Sequence, residues 1–137
     1  MGPDSPTEET HESSKLPFEC ASYWFKSDIC LHRFSDLTWL DHCVNPNHEE
    51  IQRLGAARIG VAHCPSSNLI LSSGVAPVID LIAAGVHVGI GVDGSSSADS
   101  ASMWLEARQA MLLAKLRSGA GAGTARMALE CATRGGA

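Results

Sequence analysis

The sequence predicts an α/β protein. Three observations carry that prediction. Three short apolar runs each end on or near a polar residue; each run is followed by a segment with helix-start and helix-stop signals; and the runs are apolar on both faces, as strands of a parallel sheet covered by helices are. A doubly wound open sheet and part of a (β/α)8 barrel both satisfy this pattern, and periodicity does not separate them.

The elements follow in order. Residues 1–14, rich in Glu, Ser, Thr and Pro, cannot bury apolar surface and read as a loosely held lead-in. The aromatics between Leu16 and Leu37 follow no clean period and admit only a short helix near Ala21 to Arg33. The expected division is therefore a divergent or poorly ordered segment over 1–36 and an ordered unit over 37–137. "LTWLDHCV", Leu37 to Val44, is the first strand. "NPNHEEIQRLGAA" follows as a helix, with Asn47 as N-cap, Glu49 and Glu50 in the first turn and Gly55 near the end. "RIGVAHC" is the second strand, and "PSSNLILSSGVA" reads as a loop before a helix that opens at Pro77 and stops at Gly85.

"VHVGIGVD", Val86 to Asp93, is the third strand. The loop "GSSSADS" leads into "ASMWLEARQAMLLAKLR", whose apolar positions Met103, Trp104, Ala107, Met111 and Leu112, with the Lys115 stem, recur at helical spacing. "SGAGAG" breaks the chain, and "TARMALECAT" is a final helix capped by Thr124 and stopped by Gly135.

Composition narrows the partners. A chain of 137 residues with a formal charge of -5 and ten scattered Lys and Arg offers no basic stripe, which argues against nucleic acid. No apolar run approaches the roughly 20 residues that span a bilayer, and the polar, acidic start is unlike a signal peptide, so no membrane association and a cytoplasmic location are expected. The five cysteines are an odd set without a C-x-x-C pair and read as buried free thiols.

"VHVGIGVDGSSSADS" contains a formal G-x-G-x-x-G in Gly89, Gly91 and Gly94. A dinucleotide fingerprint places its glycines in the turn after a strand, with a helix opening at the third. Here Gly89 and Gly91 alternate with Val88, Ile90 and Val92 inside the strand, so a nucleotide-binding module is disfavoured. Glycines in such places mark the close approach of a side chain or ligand to the backbone. Asp93 then falls at the strand's carboxyl end, where barrels and open sheets both carry their chemistry. His42 and His63 occupy the corresponding places on the first two strands. Each alone is an ordinary core histidine or turn aspartate; three at equivalent positions make a functional rim.

At these residues the sequence resembles the amidohydrolase superfamily, in the branch of metal-dependent deaminases and chlorohydrolases acting on purine-like and s-triazine rings. "WLDHCV", "VAHCPSSNLILSSGVAPV", "AGVHVGIGVDGSSSADS", "EARQAMLLAKLR" and "TARMALECATRGGA" match the family's last three barrel units in order and spacing, and they are most similar to 8-oxoguanine deaminase-like and hydroxyatrazine-type enzymes.

The resemblance implies about three βα units of a (β/α)8 TIM barrel, strands 6 to 8 of the family, and one divalent metal, zinc, that activates water against a ring carbon bearing an amino group. It implies that Asp93 binds the metal and relays a proton to the departing amine, that His42 polarises the substrate and steadies the hydroxide, and that His63 and Asn68 shape the substrate pocket. The family's other metal histidines come from an H-x-H on the first strand and an H-x-x-E on the fifth. No H-x-H occurs here; His11 in "ETHESS" is the candidate fifth-strand ligand, with Ser14 where the glutamate belongs.

A catalytic zinc takes three protein ligands, and a whole barrel takes about 250 residues. The chain is thus expected to be the carboxyl-terminal part of a longer deaminase, inactive alone and completed by the missing barrel half or another chain, with a small aminated heterocycle as substrate. The alternative is a non-catalytic remnant without metal.

Overall fold

The computed structural model describes residues 38–137. The segment over 1–36, the helix expected near Ala21 to Arg33 and the candidate ligand His11 lie outside them. The described chain runs β1 (Trp39–Asp41), α1 (His48–Ala56), β2 (Gly60–His63), α2 (Pro65–Ile70), α3 (Val78–Ala83), β3 (His87–Ile90), α4 (Met103–Ser118) and α5 (Ala125–Ala132), ending in a 3-10 turn over Arg134–Gly136. The three strands pair in parallel in the order β1-β2-β3, as the α/β pattern predicts.

Register explains the layering. Leu40, Val61 and Val88 stand side by side across the sheet. They pack with Ile51 and Leu54 of α1 and Leu81 of α3 in one core, which Cys131 of α5 joins. Removing each of the larger apolar side chains from water contributes about 1.5–3 kcal/mol.

The opposite face carries Trp39 and Asp41 of β1, Gly60 and Ala62 of β2, and His87 and Gly89 of β3. On this face β1 and β3 each carry one polar residue, Asp41 and His87, while β2 is apolar there. A Cβ on Gly60 would overlap the Trp39 indole, and one on Gly89 would stand 3.5 Å from Trp39 Cζ3 and 3.0 Å from Gly136 Cα. The in-strand glycine thus admits a ring and a chain turn, with no phosphate cradle, and the next long helix does not open until Met103. Gly60→Val should destabilise the fold by about 1–3 kcal/mol through overpacking, and most of that loss should vanish in a Trp39→Ala background. Urea unfolding of the four variants checks this; an undiminished loss without the indole would be inconsistent with the contact.

Local signals are met where the chain solves its own end groups. Asn47 Oδ1 accepts from Glu50 N–H at 2.9 Å while Glu50 Oε2 accepts from Asn47 N–H at 2.7 Å, a reciprocal capping box on α1. Thr124 caps α5 through Met127 N–H, and Gly85 takes φ +84° just past α3.

Two expectations are corrected. "PSSNLI" is not loop; it forms α2, with Pro65 at its first position and Ser66, Ser67 and Asn68 buried. The buried stripe of α4 is Glu106, Ala107, Ala110, Leu113 and Ala114, while Trp104 is 77% exposed and Met103 and Leu112 are also exposed. Apolar residues surround this helix on most sides, so spacing alone does not select its packed face. The small alanines let it approach its neighbours closely.

Candidate active site

β1 ends earlier than its apolar run where the chain turns left-handed, and a left-handed residue also stands three positions past β3. His42 and Cys43 after β1 have φ +65° and +39°, and Asp93 after β3 has φ +63°. Non-glycine residues there cost roughly 1–2 kcal/mol each, and such strain collects at functional sites. The hydrogen bonding continues one residue past β1 and β3: His42 N–H donates to Ala62 O and Gly91 N–H to His63 O, both at 2.9 Å.

His42 and Asp93, from the first and third strand ends, come together. His42 Nε2 lies 3.6 Å from Asp93 Oδ2. Its other nitrogen, Nδ1, lies 2.9 Å from Asn68 Oδ1. With Asn68 Oδ1 as the acceptor, Nδ1 carries the ring proton and Nε2 faces the carboxylate.

Asp93 is held from three sides. Ser67 Oγ donates to Oδ2 at 2.5 Å, Ser97 Oγ to Oδ2 at 3.1 Å, and Gly94 N–H to Oδ1 at 2.7 Å. These donors, Ser67 first, hold the carboxyl below the usual carboxylate range; His42 adds to the same effect. A base that stays ionised in neutral water results.

His63 is placed differently. Two residues after Val61, it lies on the helix-covered face and is 1% exposed. Neither ring nitrogen has a hydrogen-bond partner among the described residues, and Asn68 Nδ2 has none either. Burial, with nearby His42, lowers the His63 pKa to about 4, so the ring is neutral in ordinary buffers. Cys43 and Cys64 are free and buried, and burial pushes both thiols up to about 12, as the cysteine pattern led one to expect for structural thiols.

Sequence reasoning missed Ser67, Ser97, Ser66, Glu106 and Gln109. The serines lie in hydroxyl-rich runs that do not show which member points inward. Glu106 is an acid in the first turn of α4, yet it is fully buried and accepts from Ser66 N–H at 3.0 Å. That mismatch of charge and setting was its only local signal.

A metal can be tested against this donor set. The three hydrogen bonds to Asp93 leave Oδ1 with room for one more partner. Yet no group of three His, Cys, Asp or Glu able to hold a metal occurs among the described residues. They do not by themselves make the three-ligand site of a catalytic zinc.

Comparison with known proteins identifies the family. The model of the amidohydrolase family matches residues 6–137. The chain is 48% identical over 126 residues to 8-oxoguanine deaminase of Pseudomonas aeruginosa, covering 82% of this chain and 28% of that protein. Among solved structures it resembles a zinc-bound adenosine deaminase from Xanthomonas campestris, at TM-score 0.71 and 37% identity over 74% of this chain and 24% of that one. A zinc complex of atrazine chlorohydrolase from Arthrobacter aurescens TC1 matches at TM-score 0.69 and 35% identity, over 74% and 23%. The chain thus spans about a quarter of the length of these relatives. It belongs to the amidohydrolase family, in the branch of deaminases and triazine hydrolases, and its βα units are part of a (β/α)8 barrel.

Proposed function

We propose that this chain supplies one side of the active site of a hydrolase that deaminates a purine-like or s-triazine ring. The observation that carries the proposal is the convergence of His42 Nε2 and Asp93 Oδ2, 3.6 Å apart, at two strand ends of one sheet. The reaction replaces a ring C–NH2 with C–OH, or its keto tautomer, and releases ammonia, so one water is consumed and its protons must be relocated.

Asp93 suits the proton relay. Three donors fix it as an ionised, weakly basic carboxylate, so a proton taken from the attacking water is held loosely and readily returned to the departing amine. With its Nδ1 proton committed to Asn68, His42 exchanges protons only at Nε2. Once protonated there, it donates to a ring nitrogen of the substrate and draws electron density from the carbon under attack. His63 and Asn68 are assigned to the wall of the pocket: both are buried beside His42 and present unpartnered nitrogens.

Zinc in related structures supports a divalent metal, whose contribution when bound is to make hydroxide available near neutral pH. Asp93 is the ligand proposed from the described residues and His11 the one proposed from outside them. The test is ammonia release by the complete, metal-loaded protein from aminopurines, aminopyrimidines and aminotriazines. Turnover on at least one class is expected; none on any class would overturn the proposal.

A further inference from the structure

We propose that Glu106 is a positioning residue: through Ser66 it clasps the first turn of α2, and that turn holds Asp93 by Ser67 and His42 by Asn68. The inference rests on the roles given above to His42 and Asp93.

Three consecutive residues divide the work. Ser66 is held by α4, its N–H donating to Glu106 Oε2 at 3.0 Å and its Oγ accepting from Gln109 Nε2 at 2.8 Å. Ser67 Oγ donates to Asp93 Oδ2 at 2.5 Å, and Asn68 Oδ1 accepts from His42 Nδ1 at 2.9 Å. Glu106 and Gln109 stand three positions apart, hence on the same face of α4. Two side chains from adjoining turns therefore grip one residue, and the next two residues touch the proposed proton carriers.

The segment needs such a grip. At six residues α2 is far below the roughly 12–15 at which an isolated helix becomes even marginal. Cys64 at its N-cap makes no side-chain capping bond, so the early N–H groups need acceptors from elsewhere. Glu106 supplies one from 40 residues downstream.

Packing alone does not explain the choice of side chain. Glu106 is 0% exposed, and its Oε1 has no hydrogen-bond partner among the described residues. Leaving a buried polar atom unmatched costs about 1–3 kcal/mol, which a Leu or Met of similar volume would avoid. What an apolar residue could not do is accept from Ser66 N–H. Hydrogen bonds fade beyond about 3.5 Å, so a shift of roughly 1 Å in this turn would loosen the holds on both Asp93 and His42. Misplacement on that scale can cost about 100-fold in rate.

The test reads the His42 tautomer by 15N NMR on the complete, metal-free protein, at a pH well above the range where imidazoles titrate. The His42 signals are assigned by their loss in His42→Gln. An unconstrained imidazole favours the Nε2–H form, whereas the Asn68 bond demands Nδ1–H. Wild type should therefore show Nδ1–H in excess. Glu106→Ala should lower the Nδ1–H to Nε2–H ratio by about threefold or more, within the coupling found inside one hydrogen-bond network. Glu106→Gln, whose amide oxygen still accepts from Ser66 N–H, should retain it. Asn68→Ala should abolish the excess, and adding Glu106→Ala to it should change the ratio no further.

If Glu106→Ala fails to fold, Gln109→Ala, which removes half the clasp and spares the buried carboxyl, should lower the ratio by a smaller factor. A wild-type ring in the Nε2–H form, an unchanged ratio in folded Glu106→Ala, or, where that variant does not fold, an unchanged ratio in Gln109→Ala would each overturn the inference. In the complete enzyme, Glu106→Ala should lower kcat about 100-fold with KM altered far less. The NMR readout needs neither metal nor substrate. A protein that releases no ammonia yet shows the tautomer shift would lose the proposed reaction and keep the clasp.

Discussion

In the complete protein, Asp93→Asn is expected to lower kcat by about 10³-fold or more, within the range that a positioned proton carrier supplies. The substitution keeps the side chain's shape and an oxygen able to accept from Gly94 N–H, and the hydroxyls of Ser67 and Ser97 can rotate to meet an amide. What it removes is the ionised base that those donors stabilise. The fold should persist with a modest fall in thermal midpoint from the lost carboxylate, so the much larger loss should appear in steady-state kinetics. His42→Ala should be comparably damaging, since it removes the Nε2 that faces Asp93. If the two residues act as one unit, the double variant should be little worse than either alone. A kcat within about threefold of wild type in either single variant would take that residue out of the reaction.

The second large effect concerns His63 and acid. Its ring is 1% exposed without a partner for either nitrogen among the described residues, and its pKa falls from the ordinary 6.5 to about 4. Below about pH 6.5 the unfolded chain takes up a proton that the folded chain refuses until about pH 4. The unfolded state thus binds more protons across that window, and stability rises with pH through it. Read downward, the chain should lose stability progressively between those limits, by about 3 kcal/mol from this group alone. That is a large share of the 5–15 kcal/mol typical of a folded domain. Urea midpoints measured from neutral pH to pH 4 should show the slope. His63→Phe, which keeps an aromatic ring and cannot protonate, should flatten it. A slope untouched by that substitution would assign the acid loss to other groups.

Asp93 acts further down the scale. Its folded pKa is held below the unfolded value, so its contribution is present above the ordinary carboxylate range and is lost as pH falls through the depressed folded value. The two groups therefore weaken the fold in succession as acid is added, the histidine first.

The amino-acid sequence by itself determined the frame. Alternating apolar runs, the Asn47 and Thr124 caps and the Gly85 stop are local devices, satisfied within a few residues, and the structure meets them where the pattern places them. The placement of His42 and Asp93 at one rim was legible for a related reason: parallel strands joined by helices bring like ends to the same side. Periodicity left the arrangement of the helices open. The core lies on one face of the sheet, while Trp39 crosses the other, and the relatives identify that as barrel architecture.

Tertiary structure alone decided the rest. The first turn of α2 is met by Glu106, forty residues on, which accepts from Ser66 N–H; no rule of local spacing links those positions. The packed face of α4 is chosen by close contact through small alanines and a buried acid, against the apolar count that favoured Trp104 and Met103. The grip of Ser67 on Asp93 depends on a contact between segments 26 residues apart, while Ser97 reaches it from four residues on within the same loop. Hydrogen bonds weaken steeply with distance and angle, so a site built from them is specified only when the segments have packed. Apolar patterning tolerates much looser geometry, which is why it can be read beforehand.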